Sequence, residues 1–409
     1  MNTESGRHEA ALRVAMVVRS LPFHRTGGME NHAWDLACGL AQRGVEVHLV
    51  TTSAQPGAAV PQAPAGVFVH FLTGTKPGRY NAAFFRKLPR ALARLHHLKS
   101  LSLVHAQGFA GMFLRKLPGD LPLVTTIHGT MTSETALSPA YFPKLNLLEK
   151  AAALWRYKHR IAVGRSYRRL LRRSALLLVD SEFTRQRLAQ ENPDVAPKVR
   201  VAPLGVNVER YPEPPAKNDA RKRLGILEEG AVLFSLGRLE RTKGFRIALE
   251  AIGKCSHGLN FHWYVGGEGP DRRVLEDMIV RLNLASRVSL LGRVSDEKVP
   301  LYYAAADLAL VPELVEPAFG LVALEAMLAG APVLASKIGA LPEVVGQHDG
   351  WLVEPGDSKA LTELLERILS NPRELIQKSV NARELALSKF PFSGMIDATL
   401  QAYHEALRH

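Results

Sequence analysis

The sequence predicts an α/β protein built from two Rossmann-like, doubly wound domains that face a central cleft. Three observations carry that expectation. Short apolar runs alternate with helical stretches through both halves of the 409 residues. A polar, proline-rich stretch, NVERYPEPPAKND (207–219), separates the halves. A chain of this length also exceeds what one ordinary core accommodates. Continuous apolar runs, as opposed to alternating ones, mark strands buried on both faces. Such strands belong to parallel sheets covered by helices.

In the first half, LRVAMVV (12–18) is the opening strand. Met29 to Arg43 carries apolar residues at helical spacing and stops at Gly44. VEVHLVT (45–51), GVFVHFL (66–72), SLVHAQG (102–108), PLVTTIHG (122–129), ALLLVDS (175–181) and KVRVAPLG (198–205) complete the strand set. The second half repeats the rhythm with AVLFSLGR (231–238), FHWYVGGEG (261–269), RVSLLGR (287–293), LALVPEL (308–314), PVLASK (332–337) and GWLVEPG (350–356). Helices fall between these runs, and 207–219 reads as the linker or hinge. In open parallel sheets ligands bind beyond the carboxyl ends of the strands. The residues just after each strand are therefore the ones to inspect.

Composition narrows the class. The hydrophobic share of 46% is that of a soluble globular protein. Cys38 and Cys255 lie far apart in predicted helical segments, which argues against a disulfide framework and for a reducing compartment. Metal-ligand spacing of Cys and His is absent, so no metal site is expected. The start, MNTESGRHEAALRVAMVV, lacks the long apolar core of a secretory signal, and no run is long enough to span a bilayer. A cytoplasmic protein is expected, resting at most peripherally on the inner face of a membrane.

The net charge of +13 is unevenly placed. Residues 1–205 hold 28 Lys and Arg against 12 Asp and Glu, whereas 206–409 hold 24 against 27. The first domain should therefore attract anions, whether lipid or acceptor. RYKHRIAVGRSYRRLLRR (156–173) carries nine cationic residues, counting His159. Its apolar residues are loosely helical in spacing, which suits either a basic helix on anionic lipid or a solvated helix face packed on the domain. Nucleic acid is not expected as a partner, because basic residues interleaved with aromatic platforms are absent.

The residues that carry chemistry follow strands. SLGRLERTKGF places Arg238 directly after a strand and Lys243 five residues later. A forked guanidinium and a mobile ammonium at such a junction suit a diphosphate. VEPAFGLVALEAMLAG reads as loop, then helix. Gly320 at the junction lets backbone N–H groups approach an anion, aided by the helix dipole. Glu325, among apolar neighbours, can reach a ribose diol, and Glu316 in the loop can accept from sugar hydroxyls. His128 follows the strand of TIHGT, as either a structural or a site histidine. Gly27 and Gly28 precede a helix, without the spacing of a dinucleotide-binding loop.

Taken together, these blocks resemble the large retaining glycosyltransferase family 4, which has the GT-B fold. The resemblance covers nearly the whole chain, in the family's order. It runs through GGMENHAWDLACGLAQRGVEVHLVT, TIHGT, APLGVNVERY, SLGRLERTKGF, VGGEGPDRRVLE, LGRVSDEKVPLYYAAADLALVPE and EPAFGLVALEAMLAGAPVLAS. FPFSGMIDATLQAYHEAL is similar to the family's final helix, which crosses back to the first domain. The implied organisation is an acceptor-side domain at 1–206, a linker at 207–219, a donor-side domain at 220–390 and a returning helix at 391–409.

The resemblance implies a metal-independent, retaining hexosyltransferase. Its donor is a nucleoside-diphosphate sugar, UDP- or GDP-linked. Its acceptor is a hydroxyl on a glycan, a lipid-linked or a small molecule, with cell-envelope glycan among the candidates. Arg238 and Lys243 would bind the diphosphate and stabilise the leaving group, and Glu325 would hold the ribose. Glu316 would hold the donor sugar, with His128 near the reacting carbon. Phe319, Gly320 and Leu321 would present backbone, Arg293 and Val294 would meet the base, and Gly28 would line the cleft. In one respect the chain departs from the family. The glutamate pair has eight residues between its members, Pro317 to Leu324, where the family has seven. Ala318 is the candidate extra residue, which puts Glu316's placement in question and leaves Glu313 as the lesser stand-in. The alternatives are a sugar-nucleotide epimerase, a phosphorylase-like transferase or a non-catalytic nucleotide-sugar-binding protein on the same fold.

Overall fold

The structure is a computed structural model, and it describes residues 12–408 apart from 25–26, 56, 58–61, 115, 132–162, 210, 228 and 347–348. The first half forms a seven-stranded sheet in the order β3-β2-β1-β4-β5-β6-β7. Its strands are β1 (Arg13–Val17), β2 (Glu46–Thr52), β3 (Val67–Leu72), β4 (Leu103–Gln107), β5 (Leu123–Ile127), β6 (Leu176–Val179) and β7 (Val199–Val201). The second half forms a six-stranded sheet in the order β10-β9-β8-β11-β12-β13. These strands are β8 (Ala231–Leu236), β9 (Phe261–Gly266), β10 (Val288–Gly292), β11 (Leu308–Val311), β12 (Val333–Ser336) and β13 (Trp351–Val353). Every pairing is parallel. The fold class read from the apolar runs is the observed one, with each run trimmed at its ends.

Both sheets reverse direction next to their first strand. β1 pairs with β2 on one side and β4 on the other. β8 likewise lies between β9 and β11. Crossovers leave such a point on opposite faces, so a crevice opens at the strand ends there. Helices cover both faces of each sheet because central strands such as β4 and β11 are buried along their whole length. Cys38 and Cys255 are not joined in a disulfide.

The helix Phe392–Ala406 buries Met395, Ile396, Ala402 and Tyr403 in the same core as Val14 and Leu36 of the first half. The chain therefore crosses between the halves twice, and the crossings lie side by side. Val206 donates its N–H to Phe390 O at 2.9 Å, and Val206 and Pro391 form an isolated bridge. The stretch 207–219 is not all linker, since helix Lys217–Leu224 begins inside it.

Of the basic segment 156–173, the part 163–173 is described and is helical. Tyr167, Leu170 and Leu171 are buried in the first half's core, whereas Arg165, Arg168, Arg169 and Arg172 face out. The apolar side of that turn is thus spent on the protein itself. Residues 156–162 lie outside the described residues. Among the described residues, no helix is long and apolar enough to cross a membrane.

Candidate functional site

A cleft of about 700 Å³ lies between the halves. Gly28 and Asn31 line it from the first half, and Arg238, Lys243, Asp296, Leu321 and Glu325 line it from the second. Two helix N-termini meet there, those of Gly28–Gln42 and Leu321–Leu328. They are close enough that a Cβ on Gly28 would come 2.3 Å from Leu321 Cδ1. Gly320 precedes the second helix with φ of 108°, a left-handed conformation that glycine adopts without strain. Free N–H groups and two dipoles directed at one cleft favour an anion.

The cationic residues are held differently. Arg238 is largely exposed, with Nε 3.3 Å from Glu240 Oε2. Lys243 Nζ donates to Glu313 Oε1 at 2.6 Å. Glu313 is buried and absent from the cleft lining, so its carboxylate serves to hold the lysine. The turn carrying Lys243 is tied down as well, because Leu314 N donates to Thr242 O at 2.8 Å.

Glu325 lies one helical turn below Leu321, partly covered and deep in the cleft. Burial pushes its carboxyl up to about 7. The Tyr211 hydroxyl, which donates to it at 3.1 Å, pulls the other way, and Asp296 adds a smaller upward push. Tyr211 belongs to the proline-rich stretch read as a linker; it ends the APLGVNVERY block, but no site role is assigned to it from the sequence.

His128 stands apart from these groups. It lines an adjoining chamber of about 310 Å³ within the first half, with Arg19, Glu30, Tyr80, Gln107 and Phe109. Gly28 lines the cleft and Met29 the chamber, so the first turn of helix Gly28–Gln42 divides the two.

Glu316 does not line the cleft. Its Oε2 is 3.2 Å from Arg187 Nη2 on helix Glu182–Glu191 of the first half. The lengthened loop explains the turn. The Ala318 carbonyl accepts from Ser181 Oγ at 2.6 Å and from Thr184 Oγ1 at 3.1 Å, so the loop is pinned across to the first half. Phe319 is buried against Phe390 and keeps its side chain out of the cleft. Arg293 is exposed and Val294 packs by Gly266. Neither lines the cleft, but Asp296, just beyond them, does.

Two family models match the chain, Glycosyltransferase Family 4 over residues 26–210 and Glycosyl transferases group 1 over residues 216–385. Together they span most of its length. The chain is a GT-B glycosyltransferase of this group 1 and family 4 type. The glycosyltransferase is 28% identical to the D-inositol 3-phosphate glycosyltransferase of Xylanimonas cellulosilytica, over 97% of each chain. It is 30% identical to the 2-deoxystreptamine glucosyltransferase of Streptomyces kanamyceticus over 58% of its own length, and that match spans 62% of the relative. Among solved structures, sucrose-phosphate synthase of Thermosynechococcus elongatus superposes with a TM-score of 0.77 at 22% identity, covering 96% of this chain and 98% of that one. HepE of Anabaena in complex with UDP-glucose superposes at 0.68 and 20% identity, covering 95% and 98%. At these identities the superpositions speak for the fold.

Proposed function

We propose that the glycosyltransferase moves a hexose-type sugar from a nucleoside-diphosphate sugar, UDP- or GDP-linked, to a hydroxyl acceptor with retention at the anomeric carbon. One observation carries this reading, the convergence of two helix N-termini, Arg238, Lys243 and the Glu325 carboxyl on one cleft. The helix ends and the two cations take the diphosphate, and Glu325 takes the ribose hydroxyls. In transfer, the bond from the anomeric carbon to the diphosphate oxygen breaks and a bond to the acceptor oxygen forms. Negative charge grows on the departing diphosphate, where Arg238 and Lys243 stand. The acceptor proton passes to a departing phosphate oxygen, so no metal ion and no further side-chain base is required. His128 marks the acceptor side of the reacting carbon. A solved neighbour, HepE of Anabaena, is in complex with UDP-glucose, which supports a UDP-linked donor.

The chamber of about 310 Å³ beside His128 is the proposed acceptor pocket. Its aromatic walls, Tyr80 and Phe109, suit the apolar face of a sugar ring, and Arg19 and Glu30 suit its hydroxyls. The basic first half supports a lipid-linked acceptor at an anionic surface. Because Tyr167, Leu170 and Leu171 are buried, the described part of the basic segment would bind by charge, without inserting apolar side chains. Closure about the paired crossings at Val206 and Pro391 would exclude water during transfer.

The first test is a thermal-shift screen of UDP-, GDP- and ADP-sugars, in which a ligand of the folded state raises the melting temperature. Failure of every sugar nucleotide to shift the protein overturns the donor reading. Anomeric proton couplings of the product then report retention, and flotation with anionic or neutral liposomes reports the membrane surface.

A further inference from the structure

Three polar residues at the carboxyl ends of three adjacent strands form one hydrogen-bonded unit. Gln107 ends β4, His128 follows β5 and Asp180 follows β6, in a sheet where these strands are neighbours. His128 Nδ1 lies 2.8 Å from Asp180 Oδ2, and Nε2 lies 2.8 Å from Gln107 Oε1. Asp180 is 3% exposed, and its Oδ1 has no hydrogen-bond partner among the described residues. A buried carboxylate needs a compensating charge, and the ring of His128 is placed to supply it.

The orientation of the Gln107 amide is set from behind. Its Nε2 faces His105 Nε2 at 3.4 Å, and His105 Nδ1 is 2.6 Å from the Tyr403 hydroxyl on the returning helix. Burial, more than its histidine neighbours, lowers the His105 imidazole to about 3, so that ring is neutral, and its Nε2, which meets Thr126 Oγ1 at 2.7 Å, can also accept from the amide. The amide oxygen is thereby turned to His128. On the other side, His32 packs edge-to-face on His128 with ring centroids 5.1 Å apart. His32 is likewise held neutral, at about 3, chiefly by burial.

We propose that Asp180 and Gln107 are positioning residues that hold His128 as an imidazolium of fixed orientation, with Nδ1–H on the carboxylate and Nε2–H on the amide oxygen. The ring then stands at the wall of the chamber as a preorganised charge that neither rotates nor reorganises during transfer. Tyr403 and His105 extend the support, so the helix that returns from the second half braces this residue. The proposal rests on the reading of His128 as a residue at the reacting centre, and its test separates the two.

The first arm needs no substrate. Side-chain ¹⁵N–¹H correlation spectra of the free protein at pH 7, assigned with His128→Ala, should give His128 two protonated ring nitrogens. Asp180→Asn should abolish that pattern. A neutral pattern in the wild type, or an unchanged one in Asp180→Asn, overturns the proposal. The second arm follows release of nucleoside diphosphate from the sugar nucleotide that stabilises the protein. Asp180→Asn should lower kcat by about tenfold or more and leave the donor KM within about threefold, as loss of an orienting partner does. In a His128→Ala background the same change should have no further effect. Multiplying losses, or a loss confined to KM, overturns it. Should Asp180→Asn fail to fold, Gln107→Met carries the same cycle. If no sugar nucleotide binds, the functional reading fails while the spectra still decide the positioning of His128.

Discussion

Glu343→Ala should release one defined contact between the halves. Glu343 lies on helix Leu341–Val345 of the second half, and its carboxylate caps helix Glu182–Glu191 of the first. Its Oε2 accepts from Glu182 N at 3.0 Å, and Oε1 accepts from Phe183 N at 2.5 Å. The first amides of a helix have no partner within it. Thr184 N is already satisfied by Ser181 Oγ at 3.1 Å, so the pair at Glu182 and Phe183 depends on Glu343. A hydrogen bond to a charged acceptor contributes about 1.5–3 kcal/mol, and a carboxylate at a helix start about 0.3–1 kcal/mol more. Glu343 is only partly buried, so water recovers part of this. A net loss of about 2 kcal/mol is expected, which corresponds to roughly thirtyfold in the opening equilibrium. Native-state hydrogen exchange reads it directly. The amides of Glu182 and Phe183 should exchange roughly thirtyfold faster in the variant, while that of Leu188, bonded inside the helix, should hardly change. Glu343→Gln, which retains one acceptor, should fall between. Unaltered exchange at Glu182 and Phe183, or equal acceleration along the whole helix, would refute the cap.

Three further outcomes follow from the same geometry. Glu325 has its folded-state carboxyl raised from 4.5 to about 7, so folding is penalised once the unfolded chain ionises, fully so above about pH 7. Glu325→Gln should therefore stabilise the protein by up to about 3 kcal/mol at pH 8 and by little at pH 5 in urea titrations, and equal gains at both would count against the shift. Lys243→Ala strands the buried Glu313 carboxylate, at a cost of about 2–4 kcal/mol in the urea midpoint, and Lys243→Ala with Glu313→Gln should recover most of it without restoring transfer. Tyr403→Phe should lower stability by about 1–2 kcal/mol, because His105 Nδ1 loses its partner at 2.6 Å in a dry core, and an unchanged urea midpoint would contradict that.

Much of the molecule was legible in the order of its residues. Strands such as ALLLVDS and PVLASK are buried on both faces, so they appear as apolar runs that no other element of that length explains. The residues after β8 and before helix Leu321–Leu328 could be picked out because ligand groups in this architecture sit at strand ends and helix starts. Gly28, Arg238, Lys243, Leu321 and Glu325 do converge on one cleft. The basic segment was half legible. Its spacing showed an apolar face but not whether lipid or protein covers it, and for Tyr167, Leu170 and Leu171 the protein does.

Partnership across the fold was beyond the sequence. Eight residues between Glu316 and Glu325 announced an altered loop, yet only the packed halves reveal that the Ala318 carbonyl binds Ser181 and Thr184, with Glu316 turned to Arg187. Nothing near Tyr211 says that it donates to Glu325, and nothing near Asp180 says that it faces His128. Local pattern determines which backbone conformation and which face are favourable, because those depend on neighbours in the chain. Which carboxylate meets which donor depends on groups far apart in the chain brought within hydrogen-bonding reach, and only burial in the folded molecule makes those pairings obligatory.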